Sequence, residues 1–135
     1  MQVAIVGYGY VGRGIHRLFK GLVTAIYDPK IIDEAKKEAE SLGYAGSYDD
    51  KEAINKCDLA VVCVPTLQKE DGNCDTSIVE DVVGWIGSKI ILIKSTVRPG
   101  TTDKLIIQTQ KRIAFSPEYM GEGGYFTPYW KYPDP

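Results

Sequence analysis

The 135-residue chain has no apolar run of membrane-spanning length, a single histidine and only three cysteines. The first absence excludes a transmembrane helix, which needs roughly twenty consecutive apolar residues. No signal peptide is evident either, because Met1-Gln2 leads directly into an apolar β-type run. Cys57, Cys63 and Cys74 are odd in number and form no C-x-x-C pair, which argues against a disulfide framework and against a zinc site. No metal is expected, and the cysteine usage suits a reducing, cytoplasmic compartment. An excess of one charge is also missing. The formal net charge is -2, with acidic and basic residues interspersed, so neither a nucleic acid nor an anionic membrane finds an electrostatic footprint. A phosphate-bearing ligand would have to be held by backbone N–H groups. The lone His16 falls on the polar side of the first predicted helix and is expected at the surface.

What the chain does have begins at once. From Val3 to Ile15 an apolar strand-like run passes into G-x-G-x-x-G and then into a helical pattern. The three glycines have separate tasks: Gly7 permits the tight turn out of the strand, Gly9 lets a pyrophosphate approach the backbone, and Gly12 lets the helix pack close to the sheet. The helix, opening with Tyr10 and Val11, offers its free N–H groups and positive dipole end to the phosphates. Asp28 closes a second apolar run, Val23 to Tyr27, about twenty residues on, where a ribose-binding carboxylate belongs. A carboxylate there also repels a 2'-phosphate, so NAD is favoured over NADP. Lys30 stands close enough to soften that repulsion, although it also reads as an ordinary exposed lysine at a helix start.

Short β-branched runs alternate with helical patterns to the end of this stretch, the signature of a parallel sheet with helices on both faces. The length suits one domain. Six strands are predicted: Gln2 to Gly7, Val23 to Tyr27, a weak one at Tyr44 to Gly46, Leu59 to Val64, Lys89 to Lys94 and Arg112 to Phe115. Three apolar stripes are expected against the sheet: Val11, Ile15 and Leu18; Ile31, Ala35, Ala39 and Leu42; Ile78, Val82, Trp85 and Ile86. Short helices are expected over Asp49 to Lys56 and Thr102 to Gln110. The fold class is α/β, a Rossmann-type doubly wound sheet in strand order 3-2-1-4-5-6. The last residues differ. Tyr125, Phe126, Tyr129, Trp130 and Tyr132 lie among glycines and prolines without periodicity, an aromatic area that either covers the parent domain or meets another domain or subunit.

Ligands of such sheets bind beyond the carboxyl ends of the strands, near the point where strand order reverses. Besides the glycine turn, the segments after strands four, five and six converge there: Cys63-Val64-Pro65-Thr66, Lys94-Ser95-Thr96-Val97 and Ser116-Pro117-Glu118. The hydroxyls of Thr66, Ser95 and Thr96 are candidates to bind a nicotinamide ribose or to position water, with helix capping as the plainer reading. Glu118 and Glu122, four apart, would share one helical face, and paired carboxylates beside a cofactor suit acid–base work. Cys63 ends a buried run and reads as core.

These segments together resemble the nucleotide-sugar dehydrogenases of the UDP-glucose and GDP-mannose dehydrogenase type. GYGYVG is similar to their cofactor loop, CVPT to the segment after their fourth strand and DTSIVEDVV to the following helix. KSTVRPGTT and SPEYMGEG resemble their strand-five and strand-six signatures, and that pair is far more specific than the glycines. The match runs in order from about Val3 to Gly123; Leu67 stands where the family usually has proline, and Gly121 where a larger residue is common. The resemblance implies that Thr96 helps hold a catalytic water, that Glu118 assists hydrolysis of a thioester, and that Glu122 lies beside the nicotinamide and sugar. It places Pro65, Thr66 and Ser95 along the cofactor cleft. Residues 1–118 are then the NAD-binding domain, and 119–135 an aromatic tail leading toward a substrate domain.

Such enzymes oxidise a sugar primary alcohol to a carboxylate in two NAD-dependent steps, through a covalent adduct on a cysteine thiolate. That cysteine belongs to a later domain, and neither Cys57, Cys63 nor Cys74 sits in its glycine-rich context. The expected partners are therefore a nucleotide sugar and either a C-terminal domain or further copies in a homo-oligomer. The chain by itself is expected to bind NAD without turnover. The alternatives are a dinucleotide-binding module without catalysis, or a dehydrogenase of another class such as a β-hydroxyacid dehydrogenase, which leaves SPEYMGEG without a reason.

Overall fold

The computed structural model describes residues 1–117. The order of elements is β1 (Val3–Val6), α1 (Tyr10–Leu18), β2 (Val23–Tyr27), α2 (Asp33–Ser41), β3 (Ser47–Tyr48), α3 (Lys51–Lys56), β4 (Leu59–Val62), α4 (Ser77–Trp85), β5 (Ile90–Ile93), α5 (Thr101–Thr109) and β6 (Ile113–Phe115). The strands form one parallel sheet in the order β3-β2-β1-β4-β5-β6, as predicted.

Period-two alternation along the central strands divides the core into two layers. Ala4 and Val6 of β1, with Ala60 and Val62 of β4, point to the face covered by α3, α4 and α5, where Ile54, Val79, Val82, Val83 and Leu105 are buried. Val3 and Ile5, with Val61, point to the other face, against Ile15 of α1 and Ala35 and Ala39 of α2. α3 carries the chain from β3 at the edge of the sheet back to β4. It is short but well begun, because the Asp50 carboxylate accepts from the backbone N–H groups of Glu52 and Ala53. The point where strand order reverses therefore lies between β1 and β4, with the glycine turn directly above it.

Four expectations are corrected. The third strand is Ser47–Tyr48 rather than Tyr44 to Gly46, and pairs with Ala25 and Ile26 of β2. Tyr44 has a strand former's side chain, but its ring is buried among other aromatics and its hydroxyl donates to the Ser47 carbonyl. On α1 the buried face is Gly12, Ile15 and His16, and Leu18, roughly 200° around the helix from His16, is half exposed. His16 is thus not at the surface: it is 1% exposed, and its Nδ1 shares a 2.6 Å hydrogen bond with the Tyr8 hydroxyl while Tyr44 meets its ring edge-on. A helical wheel shows the faces of α1 but not that α2 and Tyr44 cover its far side. Burial pushes the His16 imidazole below its ordinary value of 6.5, against an opposing pull from Glu38. On α4, Ile78 is exposed, and the sheet-facing residues are Val79, Val82, Val83 and the following Ile86.

Candidate functional site

The chain leaves β1 through Gly7 at φ +92°, a left-handed conformation that favours glycine. A Cβ on Gly7 would also lie 2.6 Å from the backbone of Cys63, just past β4. At Gly12 a Cβ would strike the Gly7 carbonyl, so helix and turn can approach as they do only without it. Gly9 is the opposite case: a Cβ there meets no atom within 4 Å, and the space above it is open. Gly9 is also the N-cap of α1, with no side chain capping the helix and no acidic residue in its first turn. The N-terminus of α1 therefore presents its first backbone N–H groups and its positive dipole end to an anion.

Asp28 follows β2 and is fixed from both sides. Its Oδ2 accepts from the Tyr8 N–H at 2.8 Å and its Oδ1 from the Lys30 N–H at 2.9 Å. Its own N–H donates to Asp49 Oδ1 at 2.8 Å. Each carboxylate oxygen keeps a further lone pair for a ligand hydroxyl. Asp49, a non-glycine residue at φ 56°, is a positioning group that no local pattern announces, since its partner lies across β2 and β3.

A cavity of about 430 Å3 opens over these groups, within the range of small-molecule and cofactor sites. Its floor on one side is Gly7, Gly9, Tyr10 and Val11, with Asp28 and Lys30 beside them. On the other side are Pro65 and Thr66 after β4 and Ser95 and Thr96 after β5. The described candidate residues thus converge, Gly12 supporting the turn from below. Their hydroxyls are not equivalent. Ser95 is buried, and its Oγ donates to the Val64 carbonyl at 2.7 Å, tying the tips of β4 and β5 together. Thr66 is partly exposed and Thr96 exposed at the rim.

Two further residues of the converging segments, given no role in binding by the sequence reading, also stand in the wall. Cys63 is half-buried, packing against the core on the α1–α2 face of the sheet and also lining the cavity. Lys94, 9% exposed, lies in the cavity wall with its Nζ donating to Ser116 Oγ at 3.1 Å and to the Pro117 carbonyl at 3.4 Å. An ammonium at the end of the apolar run KIILIK was the available signal. Cys74 donates weakly to the Thr96 carbonyl, and Cys57 is buried. Among the described residues no cluster of His, Cys, Asp or Glu could hold a metal ion, and no helix is long and apolar enough to cross a membrane. Glu118, Glu122 and the aromatic stretch Tyr125 to Tyr132 lie outside the described residues.

A family model described as "UDP-glucose/GDP-mannose dehydrogenase family, NAD binding domain" matches residues 15–131. The UDP-glucose 6-dehydrogenase of Streptococcus pneumoniae is 30% identical in an alignment that takes in 90% of this chain and 37% of that protein. The GDP-mannose 6-dehydrogenase of Pseudomonas syringae pv. syringae is 28% identical, with 79% of this chain and 31% of that protein covered. Among solved structures, the UDP-D-ManNAc dehydrogenase of Pyrococcus horikoshii superposes with a TM-score of 0.70 at 28% identity, over 91% of this chain and 37% of that one. The UDP-glucose dehydrogenase of Pyrobaculum islandicum gives a TM-score of 0.70 at 26% identity, over 90% and 37%. The chain spans about a third of the length of these relatives.

Proposed function

The chain belongs to the UDP-glucose/GDP-mannose dehydrogenase family, as its NAD binding domain, and from that premise we propose that it is the cofactor-binding part of a nucleotide-sugar 6-dehydrogenase of the UDP-glucose to UDP-glucuronate type. The observation that carries the proposal is the meeting, in one cavity, of the uncapped N-terminus of α1, the immobilised Asp28 carboxylate and the strand-tip hydroxyls. NAD fits the residues present: Gly9 leaves its pyrophosphate room, and Asp28 has two carboxylate oxygens to accept from ribose hydroxyls. When bound, NAD supplies the acceptor for the electron pair of the alcohol.

The chain's own residues bind and orient. The N–H groups opening α1 hold the pyrophosphate. Asp28 takes the ribose hydroxyls and disfavours a 2'-phosphate. Pro65, Thr66 and Ser95 line the path to the nicotinamide end, and Thr96 positions a water there. Glu118 and Glu122 supply the acid–base function beside the sugar. The thiol that carries the covalent adduct comes from a further domain, so this chain binds cofactor without oxidising UDP-glucose.

Calorimetric titration tests the binding half of the proposal. NAD should bind at least tenfold more tightly than NADP, and equal affinities would contradict the assignment of Asp28. The catalytic half is tested by incubating the chain with NAD and UDP-glucose. NADH formation that persists after Cys57, Cys63 and Cys74 are together replaced by serine would show that the missing-thiol account is wrong.

A further inference from the structure

A second cavity of about 240 Å3 shares Gly7, Asp28, Lys30, Val64 and Pro65 with the first as lining residues. Its walls are apolar: Pro29, Val64, Pro65, Ile78 and Val82. Ile78 is 43% exposed, although its α4 neighbours Val79, Val82 and Val83 are buried. That exposure has a place here, because Ile78 lines the cavity rather than the core. With ribose at Asp28 and phosphate at α1, the slot is where the base of a bound dinucleotide lies.

Into this apolar slot α4 brings one carboxylate. Ile78, Asp81 and Val82 stand at i, i+3 and i+4, on one helix face, and all three line the cavity. Glu80 next door is engaged, accepting from Lys104 Nζ at 2.7 Å and from the Thr76 hydroxyl. Among the described residues the Asp81 carboxylate has no hydrogen bond or ion pair. Of the other charged groups in the slot, Asp28 is committed to the ribose and Lys30 is a donor only. Asp81 is therefore, besides Asp28, the one charged side chain lining the slot that accepts a hydrogen bond and donates none.

We propose that Asp81 is a specificity residue that selects adenine by accepting a hydrogen bond from its exocyclic 6-amino group, an inference that rests on the NAD-binding reading above. Hypoxanthine has the same shape but presents an oxygen at that position, so the carboxylate faces lone pairs instead of a donor. Asparagine would remove the preference, since its amide donates to the oxygen as readily as it accepts from the amine.

The test is titration of the chain with NAD and with nicotinamide hypoxanthine dinucleotide, in the wild type and in Asp81→Asn. The wild type should prefer NAD by about tenfold, as for loss of a charge-assisted hydrogen bond at a partly exposed site. Asp81→Asn should bring the two affinities within about twofold, mainly by weakening NAD. Equal affinities in the wild type, or an unchanged ratio in Asp81→Asn, would overturn the role of Asp81 while leaving NAD binding intact. Failure of the wild type to bind either dinucleotide would overturn the NAD-binding reading and this one with it. Asp81 is exposed, so the variant should keep the wild-type circular dichroism, and the wild-type ratio is decisive without any variant.

Discussion

The two sides of the main cavity are built from different materials. On the β1–β2 side the contacts are backbone groups and a carboxylate clamped by two N–H donors. On the β4–β5 side they are side chains: Thr66 and Thr96 at the rim, and a lysine tied to Ser116 and Pro117 after β6. The first side is complete within the described residues, whereas the second runs to their limit at Pro117, next in sequence to Glu118. On the function proposed above, affinity for the cofactor and chemistry on the substrate are separable, and substitutions on the two sides should act on different measurements.

The sharpest contrast comes from two glycines of one turn. Gly9→Val should lower NAD affinity more than a hundredfold by filling the phosphate space, with no loss of fold, because a side chain there meets no protein atom. Gly12→Ala should instead lower the melting temperature, since its Cβ meets the Gly7 carbonyl, and overpacking of this kind costs about 1–3 kcal/mol. Identical behaviour of the two variants would mean that turn and cradle are not distinct. Next in size, Asp28→Ala should weaken NAD by about ten- to a hundredfold, the worth of hydrogen bonds to a charged group. It should also narrow the gap to NADP, because Lys30 and Arg13 border the neighbouring hollow at Asp28. Retention of full NAD preference would move the ribose elsewhere.

A smaller effect lies beneath the β1–β2 side. The folded pKa of His16 is depressed by burial, so the unfolded chain binds the proton more readily. Stability should then fall as pH drops below about 6.5, by at most about 1.4 kcal/mol per pH unit. Thermal melts between pH 7.5 and 5.5 check this, and the slope should vanish in His16→Asn. Carboxylates with lowered values, such as Glu80 beside Lys104, contribute only in the more acid range. The smallest expected change is in Thr96→Val, which should leave NAD affinity within about twofold; a larger loss, read by the same titration, would place a binding contact on the chemical side.

The fold was legible because each strand of a covered parallel sheet is itself an apolar run, and the glycine turn fixes which strand lies at the centre. The binding half of the site was legible for the same reason, since Gly7, Gly9, Gly12 and Asp28 are local to one β–α–β unit. What escaped depends on contacts between distant segments. His16 looks polar on its own helix and is buried by Tyr8 and Tyr44. Ile78 belongs by periodicity to a core stripe, and hydrophobicity alone does not tell a core from the wall of a slot. Asp49 acts through the backbone of Asp28, which no spacing rule connects to it.

The clamp on Asp28 has a kinetic side. A carboxylate already held by the Tyr8 and Lys30 amides, beside a turn pinned by its glycines, has little left to order when a dinucleotide arrives. Association is then governed by diffusion and by the orientation of the incoming molecule, and residence time by how many of its contacts must break together. A site of this kind takes up and releases a dinucleotide without reshaping itself.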